Sequence, residues 1–257
     1  MATLTAQRPI GFYESASRNP DMSSMCVWMP LRASASSLVA AYNHRTNVGK
    51  KIATLTQGAI CRSPCLHTSH ALLPPASTAL GAASPEQIAH DARGLVVIAH
   101  GLADGPLVLA HLAEGLATAG FVVGAPMFTD SADTDDECAA TLGAAQLIEQ
   151  HAARLRAMDT CISTLRATYG ERLALSLVGY SLGCDTIRHL RVDCPRVYVA
   201  GPGWLEKMVP PDALPPDALP SAPPPGGPSI QILAVRDGAM AMKALTLDQS
   251  SNSTGHG

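Results

Sequence analysis

The sequence predicts an α/β protein built on a mostly parallel sheet with helices on both faces. Short continuous apolar runs recur at Leu95–Ala99, Phe121–Ala125 and Leu173–Val178, the pattern of strands buried on both faces. Segments of helical period lie between them, and alternation of this kind specifies a parallel sheet wrapped by its own crossover helices.

The 257 residues, 47% hydrophobic and 15% charged, suffice for one large domain or two small ones and are far from a disordered composition. A formal net charge of −3 gives no positive field to attract nucleic acid or an anionic membrane surface, so neither is an expected partner. The apolar runs end far short of the ~20 residues that cross a bilayer as a helix, so no transmembrane segment is expected. Seven cysteines, an odd number without a C-x-x-C pair, read as free thiols in a reducing compartment. No secretory pattern opens the chain. Its Ala-, Ser- and Thr-rich start, with Arg8 and Arg18, leaves cytoplasm or an organelle such as a plastid as the expected location.

Residues 1–93 are expected to be an irregular N-terminal part that gives two early strands, around Phe12–Tyr13 and Met25–Met29, to the same domain. Leu31–Ala92 lacks a sustained period, and most of it reads as long connections. Residues 94–257 form the core. Leu95–Ala99 is its first strand, Pro106–Ala119 a helix with Pro in its first turn and Gly120 past its end, and Phe121–Ala125 the next strand. A long helix is expected over Glu137–Thr168, where Leu155, Met158, Ile162, Leu165 and Tyr169 recur at three- and four-residue steps. Strand Leu173–Val178, helix Leu182–Leu190, and strands Val197–Ala200 and Ile230–Val235 follow. Residues 210–228 hold nine of the twenty prolines and two copies of PPDAL, which makes this insertion a semi-rigid connector.

Gly179-Tyr180-Ser181-Leu182-Gly183 matches G-x-S-x-G. The pentapeptide is weak alone, but here it joins a buried strand to a helix, where a nucleophilic serine sits in strained backbone with its hydroxyl exposed. The competing reading is a serine that merely caps the helix. The N–H of Leu182, at the helix N-terminus, is one candidate oxyanion donor. A second is the N–H of Leu102, since His100-Gly101 directly follows the strand Leu95–Ala99; the His100 side chain is expected to bond backbone in the core. In the chain order Ser, acid, His, His189 lies ~12 Å along the helix that Ser181 opens and is out of reach. That leaves His256 as base, with Asp237 as the acid and Glu206 and Asp193 as rivals.

Leu95–Gly101 (LVVIAHG), Leu112–Pro126 (LAEGLATAGFVVGAP) and Leu177–Gly183 (LVGYSLG) together resemble the α/β-hydrolase superfamily. Within it the chain is similar to dienelactone-hydrolase and platelet-activating-factor-acetylhydrolase-like esterases, whose early strands Gly11-Phe12-Tyr13 and Val27-Trp28-Met29-Pro30 echo. Asp133–Glu137 is also similar to chlorophyllases, although those have Arg and Gly where this elbow has Leu182 and Cys184. The resemblance implies an α/β-hydrolase fold and a Ser181-Asp237-His256 esterase that needs no cofactor or metal. The loops after the strands offer Met127, Phe128 and Trp204 to a substrate pocket and hardly any basic residue, so a small or medium apolar ester is expected. The alternative is a catalytically silent hydrolase-fold protein. Cys61, Cys65, His67 and His70 have zinc-type side chains but read as a variable loop, and the acidic run from Asp130 to Glu137 reads as solvated acids at a helix start.

Overall fold

In the computed structural model, which describes residues 10–31, 80–82, 88, 91–102, 105–130, 143–201, 203–209 and 228–232, each apolar run of the core becomes a strand of one sheet. Along the chain these are β1 (Ile10–Ala16), β2 (Met22–Pro30), β3 (Leu80–Ala82), β4 (Gly94–Ala99), β5 (Phe121–Phe128), β6 (Leu175–Tyr180), β7 (Arg196–Val199) and β8 (Ser229–Ile232). They form an 8-stranded sheet in the order β3-β1-β2-β5-β4-β6-β7-β8. β2 is antiparallel to both β1 and β5, whereas β5, β4, β6, β7 and β8 run parallel. A 3-10 turn, Pro106–Leu109, leads into α1 (Ala110–Thr118), followed by α2 (Ala144–Tyr169), α3 (Leu182–His189) and the short α4 (Leu205–Met208). This is the α/β-hydrolase fold.

Every residue of β4 is buried, yet its side chains alternate between two cores. Leu95, Val97 and Ala99 meet Met158, Ile162 and Leu165 of α2 and Ile187 of α3. Val96 and Ile98 meet Ala110, Ala113 and Ala117 of α1 on the other face. A strand sandwiched in this way has no polar face to show, which explains its unbroken apolar run.

The same packing places the functional end of the molecule. β4 and β6 are neighbours, but the helix after β4 goes to one face and the helix after β6 to the other. The connections leaving their paired carboxyl ends therefore part to opposite faces, which makes this the topological switch point where open α/β sheets bind ligands.

Two details go beyond what was expected. Within Leu31–Ala92, read mostly as connections, β3 pairs with β1 and Leu31 bridges Ile88. The signal was invisible because a three-residue strand is too short to show a period. The helix expected over Pro106–Ala119 begins as a 3-10 turn, a common way to open a helix. The structure describes the long helix from Ala144, and residues 131–142, the Pro-rich insertion and the Cys61–His70 cluster lie outside the described residues.

Helix α3 is docked on α2 by a buried pair, in which His151 Nε2 and His189 Nδ1 share a hydrogen bond of 2.9 Å. Burial first, then neighbouring charges, push His189 down to about 4 and His151 lower still, so both are neutral at pH 7. An unfolded chain would protonate both below the ordinary value of 6.5. The contribution is thus complete above about pH 6.5 and is lost as pH falls toward the folded values. Urea unfolding at pH 7.5 and 4.5 should show a drop in stability that the double substitution His151→Leu/His189→Leu reduces; an unchanged drop would reject the assignment. Leu177→Ala, at a fully buried position of β6, is expected to cost about 2–5 kcal/mol in the same measurement.

Candidate active site

Ser181 joins β6 to α3 at φ 52 and ψ −123, a region that side-chain-bearing residues occupy only when the surroundings force it. The forcing groups are identifiable. A Cβ on Gly179 would lie 2.5 Å from the Gly183 carbonyl oxygen and 2.7 Å from the Cys184 backbone. One on Gly183 would enter the Ala99 carbonyl and come within 2.8 Å of the His100 oxygen. Helix α3 therefore lies directly against the end of β4 and must start within one residue of β6. Ser181 absorbs that reversal. Its N–H is tied to the Val199 carbonyl at 3.0 Å, and its own carbonyl accepts from Cys184 N–H at 2.9 Å.

The Ser181 side chain makes no capping bond to α3, and its backbone is not the extended form of an ordinary N-cap. The reading of a serine that serves only as a cap therefore fails. Leu182, the first residue of α3, has an N–H with no intrahelical acceptor. The loop after β4 faces it: Gly183 touches the backbone of Ala99 and His100, and Leu102 packs in the same small apolar group as Leu182, Leu147, Ile148, Trp204, Leu205 and Val209.

His100 is fully buried. Its Nδ1–H donates to Gly101 O at 2.9 Å and its Nε2 accepts from Phe128 N–H at 3.5 Å, which fixes one neutral tautomer. The carbonyls of His100 and Gly101 each accept a further bond from Arg154, at 2.8 Å in both cases.

The loop after β7 is held from the elbow helix. Asp185, fully buried in the first turn of α3, accepts the N–H groups of Gly203, Trp204 and Leu205 at 2.5, 2.7 and 2.8 Å. Burial raises its pKa and the three backbone bonds oppose that rise. Ala200, at φ 61, turns the chain out of β7, and Trp204 Nε1 donates back to its carbonyl at 3.0 Å. Trp204 is thereby fixed over the apolar group beside Ser181.

Of the residues expected at the site, Leu182, Leu102 and Trp204 share one apolar group, and Ser181 directly precedes Leu182. Phe128 is 2% exposed, its ring 4.6 Å from the His100 ring and 4.5 Å below the Arg154 guanidinium, while Met127 at the end of β5 is half-buried. Glu206 takes Arg188 Nη1 at 2.6 Å. Asp237 and His256 lie outside the described residues. Asp130, expected to be a solvated acid, is instead buried against Arg154: a charged residue on the inward stripe of α2 requires a partner. Arg154, His151 and Asp185 are the residues that sequence reasoning missed. Among the described residues no cluster of His, Cys, Asp and Glu is placed to hold a metal ion, and no helix is long and apolar enough to cross a membrane.

No family model and no curated protein matches the chain. Among solved structures, a ferulic acid esterase from Streptomyces cinnamoneus is similar over 80% of this chain and 70% of its own, at 15% identity and a TM-score of 0.44. TT1662 from Thermus thermophilus is similar over 62% of this chain and 75% of its own, at 20% identity and a TM-score of 0.45. A lipase in its open form is similar over 74% of this chain but 44% of its own, at 13% identity and a TM-score of 0.36. The fold assignment rests on the strand order and the elbow.

Because the backbone at Ser181 is strained, Ser181→Gly is expected to raise stability by about 1 kcal/mol, after the entropy glycine returns to the unfolded chain. Chemical denaturation of the two proteins measures this. Equal or lower stability in the variant would show that the surroundings impose no strain there.

Proposed function

We propose that the protein is a serine carboxylic-ester hydrolase acting on small or medium apolar esters through an acyl-enzyme. The observation that carries this reading is the backbone of Ser181, held at φ 52 between Gly179 and Gly183 with its side chain unused as a helix cap. Strain at one polar residue costs stability, and its place where the connections of two neighbouring strands part supports a role for that residue's hydroxyl.

In this mechanism the Ser181 hydroxyl oxygen attacks the acyl carbon and its proton passes to His256, whose other nitrogen is held by Asp237. The carbonyl oxygen becomes an oxyanion bound by the N–H groups of Leu182 and Leu102. Collapse expels the alcohol, which takes the proton from His256, and water then cleaves the acyl-serine by the same steps. Leu102, Leu147, Leu182 and Trp204, all in one apolar group beside the serine, favour an apolar acyl or alcohol part. A chlorophyllase-like substrate falls within this class, as does a simple acyl ester.

Incubation of the folded protein with a fluorophosphonate probe should label Ser181, with the label lost in Ser181→Ala, and a panel of p-nitrophenyl acyl esters should be hydrolysed. A folded sample that neither labels nor turns over any ester would sink the reading and leave a silent hydrolase-fold protein. Turnover confined to phosphorylated or acidic esters would keep the chemistry but overturn the substrate class.

A further inference from the structure

Arg154 lies near the middle of α2 with its side chain 1% exposed. A guanidinium stays charged at any pH a protein survives, so its burial is costly unless its donors are matched. Four directed bonds use four of its five donors. Nε and Nη2 grip the two carboxylate oxygens of Asp130 at 2.7 and 3.0 Å, and the ring of Phe128 lies beneath the guanidinium carbon at 4.5 Å. That much would serve as an internal ion pair tying α2 to the end of β5.

The other two bonds go elsewhere. Nη1 and Nη2 reach the carbonyl oxygens of His100 and Gly101, each at 2.8 Å, two consecutive peptides of the loop that follows β4. Asp130 could be neutralised without either. A planar trans peptide points its C=O and the next residue's N–H in opposite directions. Holding the oxygens of His100 and Gly101 toward α2 therefore turns the N–H groups of Gly101 and Leu102 away from it. Gly101 O is bonded a second time by His100 Nδ1, and Gly183 blocks the loop from the elbow side. The peptide orientation is gripped from three directions. A positive charge on a peptide oxygen also withdraws electrons from its nitrogen and makes the attached N–H a stronger donor.

We propose that Arg154 is a positioning residue of the oxyanion loop, aiming and polarising the Leu102 N–H for the charge that develops on the substrate oxygen. The inference rests on the esterase reading of Ser181, and it assigns Arg154 no contact with substrate. Arg154→Lys keeps the charge but gathers its three donors on one nitrogen, which cannot span Asp130 and both carbonyls as the planar fork does. Asp130→Asn keeps the guanidinium and loosens its anchor.

The test measures kcat and KM on a p-nitrophenyl acyl ester, with active sites counted by end-point fluorophosphonate labelling so that unfolded protein does not enter the rate. If the native protein neither labels nor turns over, the esterase reading has failed and Arg154 is not at issue. With an active native protein, Arg154→Lys should lower kcat ~10- to 100-fold with KM changed less than ~3-fold, less than outright loss of an oxyanion donor. A trifluoromethyl ketone, which mimics the tetrahedral oxyanion, should bind more weakly in proportion to the loss of kcat/KM. Asp130→Asn should move kcat and the ketone's affinity the same way by ~3- to 10-fold, and it decides the matter where Arg154→Lys does not fold. A folded variant with lowered thermal stability but unchanged kcat per labelled site would overturn the proposal and leave Arg154 a purely structural ion pair.

Discussion

Gly183 of α3 rests against the carbonyls of Ala99 and His100, and most of what distinguishes this site follows from that contact. Helix and strand can approach so closely only because no Cβ stands between them. Gly179 lets the chain leave β6 under the same restriction, so the whole change of direction falls on Tyr180 and Ser181. Its cost appears as positive φ at Ser181 and is borne by the core beneath, where Ile187 of α3 and Leu190 just past its end pack with Leu177 and Ala99. Interiors packed at crystal-like density do not deform continuously, so a strained turn anchored to one keeps its geometry.

The second feature is how much polarity is buried beside this turn. His100, Arg154, Asp185, His151 and His189 are all at most 5% exposed, on helices and a loop packed beside a sheet whose strand β4 is entirely apolar. Each is tied: Asp185 to three amides, Arg154 to a carboxylate and two carbonyls, the histidines to each other. Apolar residues of similar volume would stabilise the fold at least as well, since buried ionic networks seldom gain over a packed hydrophobic core. Their gain is directional. A hydrogen bond fixes the orientation of a peptide plane, which a leucine in contact with it does not.

Legibility in the sequence follows the same division. The buried strands announced themselves, because burial on both faces allows only apolar residues and leaves a run such as Leu95–Ala99. The elbow was legible because the approach of α3 demands glycine at 179 and 183, and glycine is visible in a sequence. β3 was not, being too short for a period. Arg154 and His151 were missed for a different reason: the stripe on α2 was followed from Leu155 toward Tyr169, where every inward position is apolar. Continued backward at helical steps it passes Arg154, His151 and Leu147, all buried, but two of these three are polar and a hydropathy pattern scores them as surface. The available signal was their spacing, three apart and in phase with Met158 and Leu165. Asp130 had the matching ambiguity, since its neighbours are acidic and nothing in the spacing separates the one that turns inward.

His151 and Arg154, one turn apart on α2, serve opposite sides of the switch point. His151 bonds His189 on α3, the helix whose first residue is Leu182, and Arg154 bonds the loop that carries Leu102. The two candidate oxyanion donors lie in the connections that leave neighbouring strands at the switch point, and the sheet alone sets only the spacing of the strands themselves. Beyond the strand ends that spacing has to be maintained by something rigid that touches both sides. A 26-residue helix, packed along its length on β2, β4 and β5, is stiffer than any loop at this end of the sheet. Through one hydrogen bond to the far end of α3 and two to the loop, α2 braces both sides, while Gly183 seats the start of α3 directly on the Ala99 and His100 backbone. An oxyanion hole works because its donors do not move as charge develops; on the proposed esterase reading, the Leu102 amide owes its fixed direction to a helix that contributes no atom to such a hole.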